Sequence, residues 1–530
     1  MLTNDILYYL HRYQVTSINS AIGIPKVMEI LENLSDKVLI VESSKDVLYG
    51  MFIDPLFSIY DYIVLDYSIN VYTDLLICIL KKVLVQRPYL KFVLLNGPNI
   101  SGFYSSIGVI DYFPGIESLF YLRTSSTILK LVNTIVYTVN HIIDNYNNGS
   151  ILIFCPSSSV MFNLRSTLRS KNILVSNSKI ETDDHYVILT TTKYFEVDYV
   201  VDCGYQKRLY YDGKFNYLNT QHISQQEANL RSEYAKLACF RLYTIDEYNL
   251  FEKYPTNLRQ FTDLTQIIYL LLTLGCKNPL FFDFYEKPSL FYLNDAVSRL
   301  YLMEFIDHKG QLTHFGKLFK EIPLHPSYLK VLYTANELHC VPSVLKIISM
   351  CHVKDLFTTT DRKQLDKAQS LFYNIDGDLF SYLTIFDQFK DEKWCNRHKL
   401  NHHGIVQAKR LYSRCKSAIK ATLSVSFDNT TTIDTTSIKK CFLSGYYKQI
   451  ITLEQTTYRH IDGDLIHINP SSFMYNQLPK WCLYIDGLKT TKLFCQHLCL
   501  IDWEWLLEMK NVYEFTKNKK QVIKQEILEY

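Results

Sequence analysis

Six short apolar runs stand in the first half of the chain: VLIV (38–41), YIVLDY (62–67), KFVLLN (91–96), SILIFC (150–155), HYVILT (185–190) and DYVVDCG (198–204). Runs of this length, apolar throughout rather than at alternate positions, read as strands buried on both faces. Amphipathic stretches such as TDLLICILKKVLVQ (73–86) separate them. Strand–helix alternation of this kind specifies a parallel α/β sheet. The strands are too many for one small sheet, and a break near 120–130 divides them into two lobes.

The second half follows another rule. From about 260 to 420 apolar residues recur at spacings of three and four, as in LTQIIYLLLTLG and HPSYLKVLYTANEL, a helical period. The Thr-rich stretch SFDNTTTIDTTS (426–437) reads as a loop or linker. Strand-like runs then return in YYKQIITLEQTTYRHI, DLIHINP and WCLYIDGL, giving a short β-rich C-terminal domain.

Composition narrows the function. A chain of 530 residues holds several domains. A net charge of +3 excludes a polybasic surface over the whole chain, so nucleic-acid binding has to come from a local groove. Only 17 Gly leave few sharp phosphate-cradling loops, and the 41 Tyr are read as coding bias rather than as a stacking surface. None of the 13 Cys forms a CxxC pair; Cys495 and Cys499 flank His497, fewer groups than the about four ligands of a structural zinc site, so no metal site is expected. Scattered unpaired Cys fit a reducing compartment. MLTNDILYYLHRYQ lacks a cleavage site, and runs such as IIYLLLTLG (267–275) are too short to span a bilayer. A soluble intracellular protein without a membrane partner is expected.

Several segments in colinear order are similar to one family. DPLFSIYDYIVLD (54–66) resembles the run leading into a Walker B strand, and TDLLICILKKVLVQRPYLK (73–91) the helix and strand after it. DYVVDCGYQK with YYDGKFNYLNTQHIS resembles a second-lobe strand and β-hairpin, and CFRLYT (239–244) the segment after motif VI. LHPSYLKVL (324–332), DGDLFSYLTIFDQFK (376–390) and Trp394-Cys395 resemble ratchet-domain signatures. INPSSF (468–473), PKWCLYIDGLKTTK (479–492) and WEWLLEM (503–509) resemble an OB-fold. Together they resemble the DEAH-box RNA helicases of splicing and ribosome biogenesis. The resemblance implies an α/β multidomain chain: a truncated first RecA-like lobe (1–122), a second RecA-like lobe (123–250), a winged helix (251–316), a helical ratchet domain (317–425) and an OB-fold domain (426–530).

The nucleotide-facing positions depart from that family. Phosphoryl transfer relies on positioning and charge compensation, and a P-loop, GxxxxGK followed by Ser or Thr, supplies both. Gly213-Lys214 is followed by Phe215 and Gly316-Lys317 by Leu318, and neither has the upstream Gly. Sixty-five residues precede Asp66, fewer than the family places there, so the P-loop segment is expected to be deleted. At the DEAH box the metal-binding Asp is kept as Asp66; the Glu is Tyr67, whose phenol is a poor base at neutral pH, and the His is Ile69. Motif III is Asn96-Gly97-Pro98. In motif VI, aligned through ISQQEAN (223–229), Arg231 is kept, the first Gln is Leu230, the two finger arginines are Tyr234 and Leu237, and two Gly positions are Glu233 and Lys236. A lost arginine finger alone is worth about 10³ to 10⁵ in rate. No catalytic residue is assigned: Asp66 and Arg231 are vestiges, and no cofactor is expected.

The resemblance implies an RNA channel that holds the backbone of a single strand, which needs Lys, Arg and hydroxyl donors. Ser43 aligns with motif Ib, Thr191 and Thr192 with motif V, and Arg459, Lys489 and Lys492 fall on the OB-fold. The basic run RHKLNHH (397–403) reads as a solvated ratchet-domain face. The expected partners are RNA or a ribonucleoprotein and a G-patch-type protein, in the nucleus by resemblance or else in the cytoplasm. Three functions stay open: a non-catalytic RNA-binding scaffold of a splicing or ribosome-assembly particle; an active ATP-dependent RNA helicase using ATP and Mg²⁺; and a protein-interaction module without RNA affinity.

Overall fold

The computed structural model describes residues 2–505 apart from 69, 114–117, 125–129, 147–148, 169–172, 176–186, 192–195, 256–261, 360, 424, 426, 428–433 and 503. The chain divides into two compact units: residues 1–210, 218–260 and 283–287 form the first, and 211–217, 261–282 and 288–530 the second.

The first unit contains two parallel sheets. The N-terminal one is built from α1 (Leu2–Arg12), β1 (Val15–Asn19), α2 (Gly23–Leu31), β2 (Val38–Ile40), α3 (Ser44–Gly50), β3 (Tyr62–Asp66), α4 (Val71–Gln86), β4 (Lys91–Leu95) and β5 (Ile107–Asp111), with strand order β2-β3-β4-β1-β5. All four pairings are parallel. The apolar runs at β3 and β4 bury Ile63, Val64, Phe92, Val93 and Leu94 completely, as strands covered on both faces must. Helix α4 begins where the Asn70 side chain caps Thr73 N–H at 2.9 Å.

The second sheet and its helices are β6 (Ser118–Tyr121), α5 (Leu131–Asn145), β7 (Ile151–Phe154), α6 (Ser158–Thr167), β8 (Ile173–Val175), β9 (Val187–Thr190), β10 (Val197–Asp202), α7 (Gln225–Glu233), β13 (Ala235–Arg241) and α8 (Ile245–Leu250), while β11 (Tyr205–Tyr211) and β12 (Asn216–His222) form a hairpin outside it. Its order is β6-β13-β10-β7-β9-β8, with all five pairings parallel. Strand β6 lies beside β13. The first sheet therefore ends at Asp111, and a lobe boundary at 122 falls one strand late.

The second unit carries α9 (Thr265–Thr273), α10 (Leu290–Leu302), α11 (His314–Leu318), α12 (Pro326–Glu337), α13 (Val341–Cys351), α14 (Arg362–Ser370), α15 (Asp378–Gln388), α16 (Glu392–His398), α17 (His402–Leu423) and α18 (Thr435–Gly445). Asp434 caps α18 through Thr436 N–H at 3.0 Å, so the end of the Thr-rich stretch is helix rather than loop. Its middle lies outside the described residues.

Strands β14 (Ile450–Glu454), β15 (Thr457–His460), β16 (Leu465–Ile468), β17 (Trp481–Lys489) and β18 (Leu493–Leu500) follow. They pair in the cycle β14-β15-β16-β18-β17-β14, antiparallel except for β16–β18. This five-stranded closed barrel is an OB-fold. The tip of the β11–β12 hairpin, Tyr211–Tyr217, belongs to this unit: Phe215 enters the barrel core, and Lys214 pairs with Asp462 and Asp464.

Candidate functional site

In the first sheet β1 lies between β4 and β5. The chain leaves β1 for β2 on one side and crosses from β4 to β5 on the other. The carboxyl end of β1 is thus the topological switch point, where open parallel sheets bind ligands. A strand, a loop and a helix meet there: β1, residues 20–22 and α2. This is the arrangement that carries a P-loop. The flanking elements are present, and the loop between them is three residues long. Strand β1, VTSIN, shows no apolar run because Thr16, Ser17 and Asn19 are polar, yet all five of its residues are buried.

The backbone donors of this short loop are already engaged. Ser20 N–H donates to Asn96 Oδ1 at 3.0 Å and Ala21 N–H to Glu233 Oε2 at 2.8 Å. The Asn19 side chain donates to Asp111 at 2.6 Å and accepts from Gln226 Nε2 at 2.8 Å. Gln226 also donates to Gly97 O at 3.2 Å. Gln226 and Glu233 stand at the two ends of α7, packed with the second sheet, so three hydrogen bonds cross from one sheet's domain to the other's. Asn96 adopts φ +52, a left-handed conformation that Asn tolerates. A Cβ on Gly97 would come within 2.3 Å of Leu94.

Charge follows burial here. Removal from water pushes the Glu233 carboxyl up to about 7, against the pull of the Ala21 N–H. Its Oε1 is buried with no protein partner among the described residues, as is Oε1 of Gln226. Asp66 ends β3; desolvation raises its pKa and a hydrogen bond from the Asn96 side chain lowers it. Tyr234 is pushed up to about 12, first by burial and then by the nearby negative charge of Asp66. The Tyr67 hydroxyl donates to the buried carboxylate of Asp74 at 3.0 Å, and Tyr285 donates to the same oxygen at 2.8 Å.

Arg231 serves its own domain. It is 2% exposed, bonded to Asp202 at 2.8 Å and Glu227 at 3.2 Å, with its guanidinium 4.6 Å from the Phe154 ring centroid. Leu237, at the other finger position, is exposed. Ile69 lies outside the described residues.

Comparison with known proteins adds the missing context. The ratchet-like helicase associated domain matches residues 325–411, and an oligonucleotide/oligosaccharide-binding OB-fold domain matches 438–513. The human probable ATP-dependent RNA helicase DHX35 is 25% identical over 529 residues, covering 87% of this chain and 74% of that protein. A putative pre-mRNA-splicing factor ATP-dependent RNA helicase of Schizosaccharomyces pombe is also 25% identical, with 89% and 82% covered. Mouse ATP-dependent RNA helicase DHX33 is 27% identical over 357 residues, or 64% of this chain and 49% of that protein. The chain is similar to DEAH-box RNA helicases over most of its length.

Against the DEAH-box pattern, the remaining candidate residues separate. Ser43 caps α3, accepting from Asp46 N–H at 3.3 Å, which fixes the helix start. Thr191 follows β9, and Thr192 lies outside the described residues. Lys489 and Lys492 sit together, exposed, at the β17–β18 turn, where Thr490 N–H donates to Lys492 O at 2.8 Å. Arg459 is elsewhere. It pairs with Thr452, which pairs with Trp481, eight positions from Lys489 along β17, or roughly 26 Å of strand. Its guanidinium is held by Glu454 at 2.9 Å and Gly463 O at 3.0 Å. The barrel thus brings two of its three candidate cations to one place.

Asn19, Gln226 and Glu233 are the site residues that the sequence reading missed as participants. Motif VI alignment located Glu233 as a replaced Gly, but its partner is 212 positions away.

Proposed function

We propose that this chain is a DEAH-box helicase-like protein without ATPase activity that acts as an RNA- or ribonucleoprotein-binding scaffold in pre-mRNA splicing or ribosome assembly. The observation that carries the reading is the seating of Glu233 and Gln226 on residues 19–21 and 97. In a P-loop protein, backbone N–H groups at this strand end cradle phosphate oxygens. Here a carboxylate and two amide side chains supply the acceptors and donors instead. A nucleotide would have to displace them without the P-loop Lys, the DEAH-box Glu or a finger arginine to offset the loss.

The process comes from the relatives, one of which is named as a putative pre-mRNA-splicing factor. RNA contact is assigned to the β17–β18 turn through Lys489 and Lys492, with Thr191, Thr192 and Ser43 as hydroxyl donors on the two RecA-like sheets. Residues 251–316 are assigned as the winged helix. A G-patch-type protein is the partner class, and the nucleus the compartment, that the family implies.

The test is a titration of the full chain with ATP and Mg²⁺ in the presence of single-stranded RNA, paired with filter binding across a salt series. The expected result is no saturable nucleotide binding together with RNA retention that weakens as salt rises. RNA-stimulated hydrolysis lost in Asp66→Asn overturns the reading. Absence of salt-sensitive RNA retention leaves a protein-interaction module and overturns the RNA part.

A further inference from the structure

Three contacts line the seam between α12 and α18. Gly445 lies so close to α12 that a Cβ there would meet Ser327 O at 2.3 Å, which only glycine permits. At the neighbouring residue Ser444 Oγ meets Thr334 Oγ1 at 3.0 Å. At the far end the sulfurs of Cys340 and Cys441 are 3.5 Å apart. Cys340 is the N-cap residue of α13, and its side chain makes no capping bond, so the sulfur is not tied to the helix backbone. It is partly exposed, whereas Cys441 is fully buried.

We propose that Cys340 and Cys441 are an oxidisable pair, which a hydroperoxide converts to a disulfide joining the α12–α13 turn to α18. Cys340 has the traits of the attacking sulfur. It is partly exposed, it stands at the N-terminus of an eleven-residue helix, and the contact with the Cys441 sulfur lowers its pKa. The same contact, together with burial, pushes the Cys441 thiol up. Buried thiols elsewhere differ. Cys203 and Cys499 are each pushed up to about 12 by burial, and they are shielded from solvent oxidants.

The chemistry balances in two steps. The Cys340 thiolate attacks one peroxide oxygen; an S–O bond forms, the O–O bond breaks, and the departing oxygen leaves protonated as an alcohol or water. The Cys441 sulfur then attacks the sulfenic sulfur; the S–S bond forms, the S–O bond breaks, and hydroxide departs with the Cys441 proton as water. Two thiols lose two electrons and two protons, and one peroxide is reduced. The sulfurs need to close from contact distance to about 2.05 Å, a rotamer adjustment at the untethered Cys340. The bond would staple a helix of the ratchet-like segment to the first helix of the OB-fold segment, closing a loop between positions 101 apart.

The full chain is exposed to hydrogen peroxide, quenched with N-ethylmaleimide, digested and analysed by mass spectrometry. The expected product is a cross-linked peptide pair containing Cys340 and Cys441, two hydrogens lighter than the free peptides and lost on reduction. The oxidised chain should also run faster on a denaturing gel without reductant. In Cys441→Ser, Cys340 should accumulate as a sulfenic acid trapped by dimedone. Recovery of both cysteines as maleimide adducts from folded, oxidised wild-type protein overturns the proposal, as does a cross-link that forms only in urea. These wild-type readings stand whether or not the variant folds.

Discussion

Two carboxyls, the fully buried Asp378 of the second unit and the half-buried Glu233 of the first, are treated differently by their surroundings. Asp378, the first residue of α15, is fully buried and serves as the hub between the ratchet-like helices and the OB barrel. It accepts from Ser472 Oγ, Phe473 N–H and Leu498 N–H, each at 2.9 Å. Glu233, at the mouth between the two parallel sheets, accepts from Ala21 N–H alone and leaves Oε1 without a protein partner among the described residues. Burial raises both, Asp378 to about 6 and Glu233 to about 7. A carboxylate surrounded by donors is a structural fastener. On the proposed reading, one with a single donor at the switch point takes the place of a phosphate oxygen.

Asp378→Ala should have the largest effect. It strands three buried donors and opens a cavity, costing roughly 4 kcal/mol, read from urea unfolding of the second unit. Asp378→Asn keeps one acceptor and should cost about half of that. If Asp378→Ala were neutral, the contrast between the two carboxyls would collapse. The double variant Gln226→Ala/Glu233→Ala removes all three bonds across the cleft and should cost roughly 1–3 kcal/mol, with faster hydrogen exchange at Ser20 and Ala21 N–H. It should still not bind ATP, because the Lys and finger arginines remain absent.

The pH dependence sharpens the same contrast. Each carboxyl holds its proton more tightly folded than unfolded. Its stabilisation is complete below the ordinary carboxylate pKa of about 4 and is lost as pH rises, through about 6 for Asp378 and about 7 for Glu233. Wild-type stability should therefore fall as pH rises from about 4 to about 7. Glu233→Gln should flatten the upper part of that slope and leave the lower part. An unchanged slope in Glu233→Gln would place the titration elsewhere. The smallest effect concerns the barrel turn: Lys489→Ala/Lys492→Ala should reduce the salt slope of RNA binding by about 2 without changing stability, and an unchanged slope would move the contact off this turn.

What the sequence revealed follows from these environments. The strands β3, β4, β7 and β10 were legible because burial on both faces makes them apolar throughout. Strand β1 was not, because its buried Thr16, Ser17 and Asn19 serve the switch point rather than the core. The DGDLF signature of the ratchet segment was legible as a pattern, whereas its cause is not local. Gly377 adopts φ +119 and lies where a Cβ would meet Leu498 O at 2.6 Å, and Asp378 answers to residues about a hundred positions later. The loss of the finger arginines could be read position by position. What took the vacated space could not, because Glu233 and Ala21 meet only through the packing of two separate sheets. Arg231 was legible as a motif residue by resemblance, but its inward pairing with Asp202 as a core ion pair was not.

The hydrogen bonds that join Gln226 and Glu233 to residues 19–21 and 97 have one more consequence. If the chain has no ATPase activity, as proposed, they make the gap between the sheets a constant of the sequence rather than a variable set by cellular ATP. A clamp of fixed gap has no clock. On the proposed reading, how long it stays on its target is decided by spontaneous dissociation, or by another protein that pulls it off, and never by a fuel cycle of its own.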